Sequence, residues 1–178
     1  MADKYAVIRT DNLSGTDQRA DLLSVRVYAP DTTTGEGANA VTTPGDPIAV
    51  ENGVIVKIGA LENGEREIYK ATLASSSDDL DECAILAGVE VMYEKEKRNL
   101  DEFINEAGTA VRAYIPRNRN FFSETAKGFV GGTAPTVGQT VGIGANGKLA
   151  AGGTGVGKCV AIEKAGRYTY YVIQIVKG

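Results

Sequence analysis

Histidine and tryptophan are both absent from this 178-residue chain. Without histidine there is no Ser-His or Cys-His nucleophile pair and no imidazole metal ligand, and the usual general base for neutral pH is missing. Carboxylate, lysine or metal-assisted chemistry remains open in principle. Cysteine is scarce. Cys83 and Cys159 stand far apart and without metal-ligand spacing, which predicts buried free thiols and a reducing compartment. No apolar run approaches membrane-spanning length, and Met1–Tyr5 lacks a basic-then-apolar leader pattern, so the expectation is a soluble protein made in the cytoplasm, with no membrane partner. Positive charge is not in excess either: a net charge of −4 argues against direct nucleic-acid binding, where affinity comes largely from neutralised phosphates.

What the chain does have is 43% apolar residues and 22 glycines. Together they suit short strands joined by tight turns around a core large enough for one domain. The C-terminal end carries the clearest pattern. Val137–Ile143 and Lys148–Ala151 flank Asn146-Gly147, a strong hairpin signal because its turn type needs two positive φ angles. A long alternating run follows from Lys158 to Val176, with Tyr168, Tyr170 and Tyr171 leading into Val172, Ile173, Ile175 and Val176. These read as the last strands of a small β-barrel or sandwich.

Upstream, Tyr5–Ile8 and the alternating Leu23–Tyr28 are the apolar stretches of the first thirty residues. From Pro30 to Pro47 the chain is rich in Pro, Thr, Gly and Asp without apolar periodicity. Residues 1–47 therefore read as an extended N-terminal arm and loop, either a flexible surface segment or an arm that orders against a partner. Residues 48–178 read as a β-barrel-like body. Within it, Val54–Ile58 and Glu67–Leu73 form a predicted hairpin about Asn63-Gly64, with Tyr69, Ala71 and Leu73 facing inward. Cys83–Tyr93 is predicted as a buried strand bent at Gly88, a helix competing over its first half. One short α-helix is expected over residues 99–107, with Asn99 as N-cap, Glu102 completing a capping box and Gly108 as stop. Leu100, Phe103, Ile104 and Ala107 give it one apolar stripe. Strands are expected over Thr109–Ile115 and Phe121–Phe129.

Gly152-Gly-Thr-Gly-Val-Gly-Lys158 matches the start of a phosphate-binding loop. That chemistry needs a hydroxyl next, to hold magnesium, and a following helix; Cys159 and a β-type sequence stand there instead. It reads as a glycine-rich turn. Asp78, Asp79, Asp81 and Glu82 lack the spacing of a calcium loop, and Ser75–Ser77 has no activating partner at a diagnostic spacing. Arg112, Arg117, Arg119 and Arg167 are either scattered surface charge or a docking spot for an acidic partner. No catalytic, cofactor or metal residue is therefore predicted. The candidate partner-binding residues are Tyr5, Val7, Ile8, Leu22 and Leu23 on the N-terminal segment, with Arg117 and Arg119.

The closing pattern Val137–Leu149, then Gly157–Glu163 and the final strand Tyr168–Val176, resembles the small head decoration (cement) proteins of tailed bacteriophages. The flexible N-terminal segment ahead of a β-rich body with one short helix is similar as well. The resemblance implies glycine hairpins closing a small barrel, and a non-enzymatic protein on the capsid exterior, bound to the major capsid protein and stabilising the head. Self-association into a homo-oligomer is a further possible partnership. Another β-rich virion component, such as a head fibre or tail adaptor, is the alternative, followed by a small ligand-binding barrel or carboxylate enzyme.

Overall fold

The computed structural model describes residues 4–9, 21–35, 40–93 and 99–177. The chain is mainly β and builds two β layers around a shared core. The first is a closed five-stranded barrel of β1 (Asp21–Tyr28), β4 (Ile55–Leu61), β5 (Ile68–Leu73), β6 (Cys83–Leu86) and β7 (Val111–Ile115), in the order β1-β5-β4-β6-β7. Only the β1–β5 pair is parallel. The second is an open, wholly antiparallel sheet of β8 (Phe121–Thr125), β9 (Thr140–Ile143), β10 (Leu149–Ala151), β11 (Gly155–Ala165) and β12 (Tyr168–Ile175), ordered β10-β9-β11-β12-β8. A small exposed hairpin pairs β2 (Thr32–Thr34) with β3 (Val41–Thr43).

Five strands enclose little space, and the barrel interior is filled accordingly by valine and alanine: Val25, Val27, Val54, Val56, Ala71, Ala84 and Val111 among others, with Leu86. Tyr69, Ala71 and Leu73 do face this interior, as their alternation predicts. A second, larger core lies between barrel and sheet. Ile55, Cys83 and Ile85 on the barrel's outer surface meet Phe122, Phe129, Val141, Ile143, Val156, Ile173 and Ile175. Strand β6 serves both cores: Ala84 and Leu86 point into the barrel while Cys83 and Ile85 point at the sheet. Burial on both sides explains why its sequence is a continuous apolar run rather than an alternation. Cys83 and Cys159 sit in the same core as free thiols, and burial raises the Cys83 thiol to about 11.

Three expectations need correction. The C-terminal hairpins do not close a barrel; they form the open sheet, and the barrel comes from residues 21–115. Within residues 1–47, of which 1–3, 10–20 and 36–39 lie outside the described residues, segments 7–9 and 21–28 belong to the body. Strand β1 is a barrel stave, and residues 7–9 pair on the edge of β8, through Thr125 N–H to the Val7 carbonyl at 3.0 Å and Arg9 N–H to the Ser123 carbonyl at 2.9 Å. The expected helix over 99–107 is a single 3-10 turn, Leu100–Glu102, and Phe103 is already extended (φ −76, ψ 136). The capping contact forms, with Asn99 N–H donating to Glu102 Oε2 at 3.0 Å. Two turns are too few to hold a helix alone, and Asn105 instead exchanges backbone bonds with Val50, both 2.9 Å. Asp101 is meanwhile tied to the Tyr168 hydroxyl at 2.7 Å and to Arg167.

In the Gly152–Lys158 stretch the turn is confined to residues 152–154 and Gly155–Lys158 already belong to β11, with no helix after them. In the acidic loop, Asp78 accepts from Lys57 Nζ at 2.9 Å and from Ser75 N–H at 2.8 Å. The Lys57 contact first, then Ser75, holds the Asp78 carboxyl down to about 2. A depressed carboxyl contributes stability above its unfolded value of 3.8, lost as pH falls toward 2. Asp78→Asn is expected to remove this part of the acid-unfolding curve, as read by circular dichroism across that window; an unchanged curve would show the pair to be too solvated to count.

Candidate docking face

At the end of β6 the ladder stops. Ala87 N–H still donates to the Arg112 carbonyl at 2.9 Å, but Gly88 finds a side chain in place of a strand. Asn52 receives Gly88 N–H on Oδ1 at 2.8 Å and donates Nδ2–H to the Gly88 carbonyl at 3.1 Å. Asn105 Nδ2 in turn donates to Asn52 Oδ1 at 2.9 Å and to the Val50 carbonyl at 3.0 Å. This buried amide pair satisfies the backbone groups that a neighbouring strand would otherwise have to satisfy.

Beyond Gly88 the chain alternates with the reverse of the usual sense. Val89, Val91 and Tyr93 are 58%, 50% and 93% exposed, whereas Glu90 and Met92 between them are partly covered. Glu90 lies within 3.4 Å of Asn52 Nδ2, and burial pushes its carboxyl above the ordinary range, the amide contact opposing. An ordinary half-buried strand hides its apolar residues and shows its charges; this segment does the opposite. Two shallow grooves adjoin it, about 180 and 350 Å3 in volume, floored by Phe103 and Ile104. Glu102 and Glu106 also line the smaller groove, and Glu106 and Arg112 the larger. Covering a large apolar side chain contributes roughly 1.5–3 kcal/mol. Three of them on one five-residue segment, turned at Glu90 by the Val91 N–H to Val89 carbonyl bond at 2.8 Å, make a ledge suited to holding an apolar partner surface.

The sequence-predicted partner residues are dispersed. Val7 and Ile8 are fully buried, Val7 against Tyr168 and Tyr170 and Ile8 in the core between barrel and sheet, so neither is available to a partner. Tyr5 is half-buried, its N–H donating to the Asp101 carbonyl at 3.0 Å. On β1, Leu22 is half exposed while Leu23 packs on the barrel interior. Arg117 and Arg119 lie in the β7–β8 loop, where Arg119 takes φ +72 and its N–H donates to the Ile175 carbonyl at 2.9 Å. Cys83–Tyr93 is a strand only over its first four residues. The alternation Val-Glu-Val-Met-Tyr is visible in the sequence, but which side of it faces solvent is decided by Asn52 and Asn105, thirty-six residues before Gly88 and seventeen after it.

A wider cleft of about 620 Å3 lies between β4 and β5 of the barrel and the residues flanking the β2–β3 hairpin, Pro30, Asp31, Pro44 and Gly45. Its lysines are occupied, Lys57 by Asp78 and Glu82 and Lys70 over the Tyr28 ring at 5.4 Å. Among the described residues no group of three or more His, Cys, Asp or Glu is placed to hold a metal ion, and no helix is long and apolar enough to cross a membrane. Compared with protein-family models, with curated proteins and with solved structures, the chain matches none.

Proposed function

We propose that this protein is a non-enzymatic capsid decoration protein that docks on the outer surface of a phage head, with the 89–93 ledge as its contact. The observation that carries the reading is the reversed alternation there: Val89, Val91 and Tyr93 face solvent on a segment that has no strand partner among the described residues. Such a segment can set its apolar side chains into pockets of the shell. The two-layer core gives a body on which to mount the ledge.

Mixing the full-length protein with undecorated capsids and sedimenting them tests the proposal. The protein is expected to pellet with the shells. Val91→Asp and Tyr93→Asp together are expected to weaken that binding by tenfold or more. Their effect on unfolding should stay within about 0.5 kcal/mol, since exposed positions contribute little to folding. If the intact protein stays in the supernatant, the functional reading fails. If the double variant binds as well as the parent, the ledge is not the contact.

A further inference from the structure

Glu124, in the middle of β8, is completely buried, and neither of its carboxyl oxygens has a hydrogen-bond partner. Its chamber is made by omission. A Cβ on Gly53, in the turn before β4, or on Gly128, just past β8, would overlap Oε1. On one side β12 presents Tyr171 opposite Glu124 in the ladder; on the other Ile8 bridges to it. The carboxyl thus lies where barrel, sheet and N-terminal segment meet.

The charges on the surrounding elements do not neutralise it. Lys148, ahead of β10, holds Glu51 at 2.6 Å and donates to the Lys127 carbonyl at 2.9 Å. Glu51, ahead of β4, adds like-charge repulsion and is itself bonded by Ala6 N–H at 2.7 Å. Arg9 on the N-terminal segment is paired with Glu163 and lies over the Tyr170 ring. Desolvation first, then Glu51, raises the Glu124 carboxyl well above its ordinary value, with Lys148 opposing. A neutral acid is tolerable there; an ionised one without donors is not.

We propose that Glu124 is a protonation-controlled latch on the N-terminal segment: the neutral acid lets residues 6–9 seal the edge of β8, and ionisation releases them. The choice of segment follows from what closes the chamber. The β12 side is held by a five-residue ladder. Residues 6–9 have a shorter ladder, with Ala6 bonded to Glu51, Val7 N–H to Thr125 Oγ1 at 3.1 Å and two backbone bonds from Thr125 and Arg9, beside the Arg9–Glu163 pair and the buried side chains of Val7 and Ile8. Release admits water to the carboxylate and frees the β8 edge for another strand. A raised carboxyl contributes its stability below the unfolded value and loses it as pH rises through the folded value, so the latch opens on the alkaline side.

Amide hydrogen exchange at Arg9 and Thr125, corrected for intrinsic rates, tests this on the full chain from about pH 5 to about pH 10. Protection in the parent is expected to fall by up to about tenfold per pH unit between the ordinary carboxyl value of the released state and the raised value of the sealed one, then to level off, as one released proton requires. Glu124→Gln, neutral and of the same shape, is expected to hold protection flat. Identical pH dependence in parent and variant overturns the proposal. The carboxyl carbon shift of Glu124 in the parent gives a reading that does not depend on the variant folding. An acid that stays neutral above its ordinary value of 4.5 is expected, whereas a carboxylate titrating in the ordinary range with residues 6–9 still docked overturns the latch.

Discussion

Phe122→Ala is expected to lower the unfolding free energy by about 3–5 kcal/mol, the cost of emptying a large buried site that cannot collapse. Phe122 is 1% exposed on β8, opposite Ile173, and lies in the core where the sheet meets Ile55, Cys83 and Ile85 of the barrel. Because that core belongs to both layers, the loss should appear in a single cooperative transition. Denaturant unfolding followed by far-ultraviolet circular dichroism and by tyrosine fluorescence should give coincident midpoints, both shifted, with an unchanged slope. Tyr93→Ala, removing an aromatic ring that is 93% exposed, serves as the control and should move neither by more than about 0.5 kcal/mol. Two separated transitions, only one of them sensitive to Phe122, would mean that barrel and sheet fold independently.

The readings that survived were those whose signal is local. Period-two alternation placed Tyr69, Ala71 and Leu73 on the barrel interior, and the Asn146-Gly147 pair does take two positive φ angles, +57 and +71. The loop around it is nevertheless five residues, Gly144–Lys148, between β9 and β10. What failed depended on competition between distant segments. Leu100–Ala107 has helical spacing, but Asn105 gains more from pairing with Val50 than two isolated turns can offer. Val7 and Ile8 carry the signature of a sticky arm, and it is the chain's own β8 edge and core that receive them. Pro30–Pro47 looked structureless because its threonine hairpin is exposed on both faces and so has no apolar alternation to read. The ledge was hidden for a further reason. Sequence alternation says that two faces differ, and contacts from distant residues, Asn52 on Gly88 and Glu90 among them, set which of them looks outward.

The junction between the layers gives the second large effect, and a paired substitution isolates it. Gly147 and Gly64 both occupy turns in the left-handed region, at φ +71 and +84. An alanine there costs roughly 1–2 kcal/mol from the backbone conformation alone. The two sites differ in what surrounds them. Around Gly64 a Cβ would meet open space, whereas at Gly147 it would overlap the backbone carbonyl oxygen of Ile55 on β4. Gly147 N–H also donates to the Ala74 carbonyl at 2.9 Å, so the tip of the β9–β10 hairpin is seated on the barrel by main-chain contact. Relieving the clash must shift one strand or the other, with overpacking costs of about 1–3 kcal/mol added to the conformational term. Gly147→Ala is therefore expected to destabilise by clearly more than Gly64→Ala in parallel urea titrations, and to loosen exchange at the Ala74 amide, which donates to the Ile55 carbonyl at 3.0 Å. Equal losses for the two variants would leave only backbone strain at both turns and would remove the hairpin tip as a support between sheet and barrel.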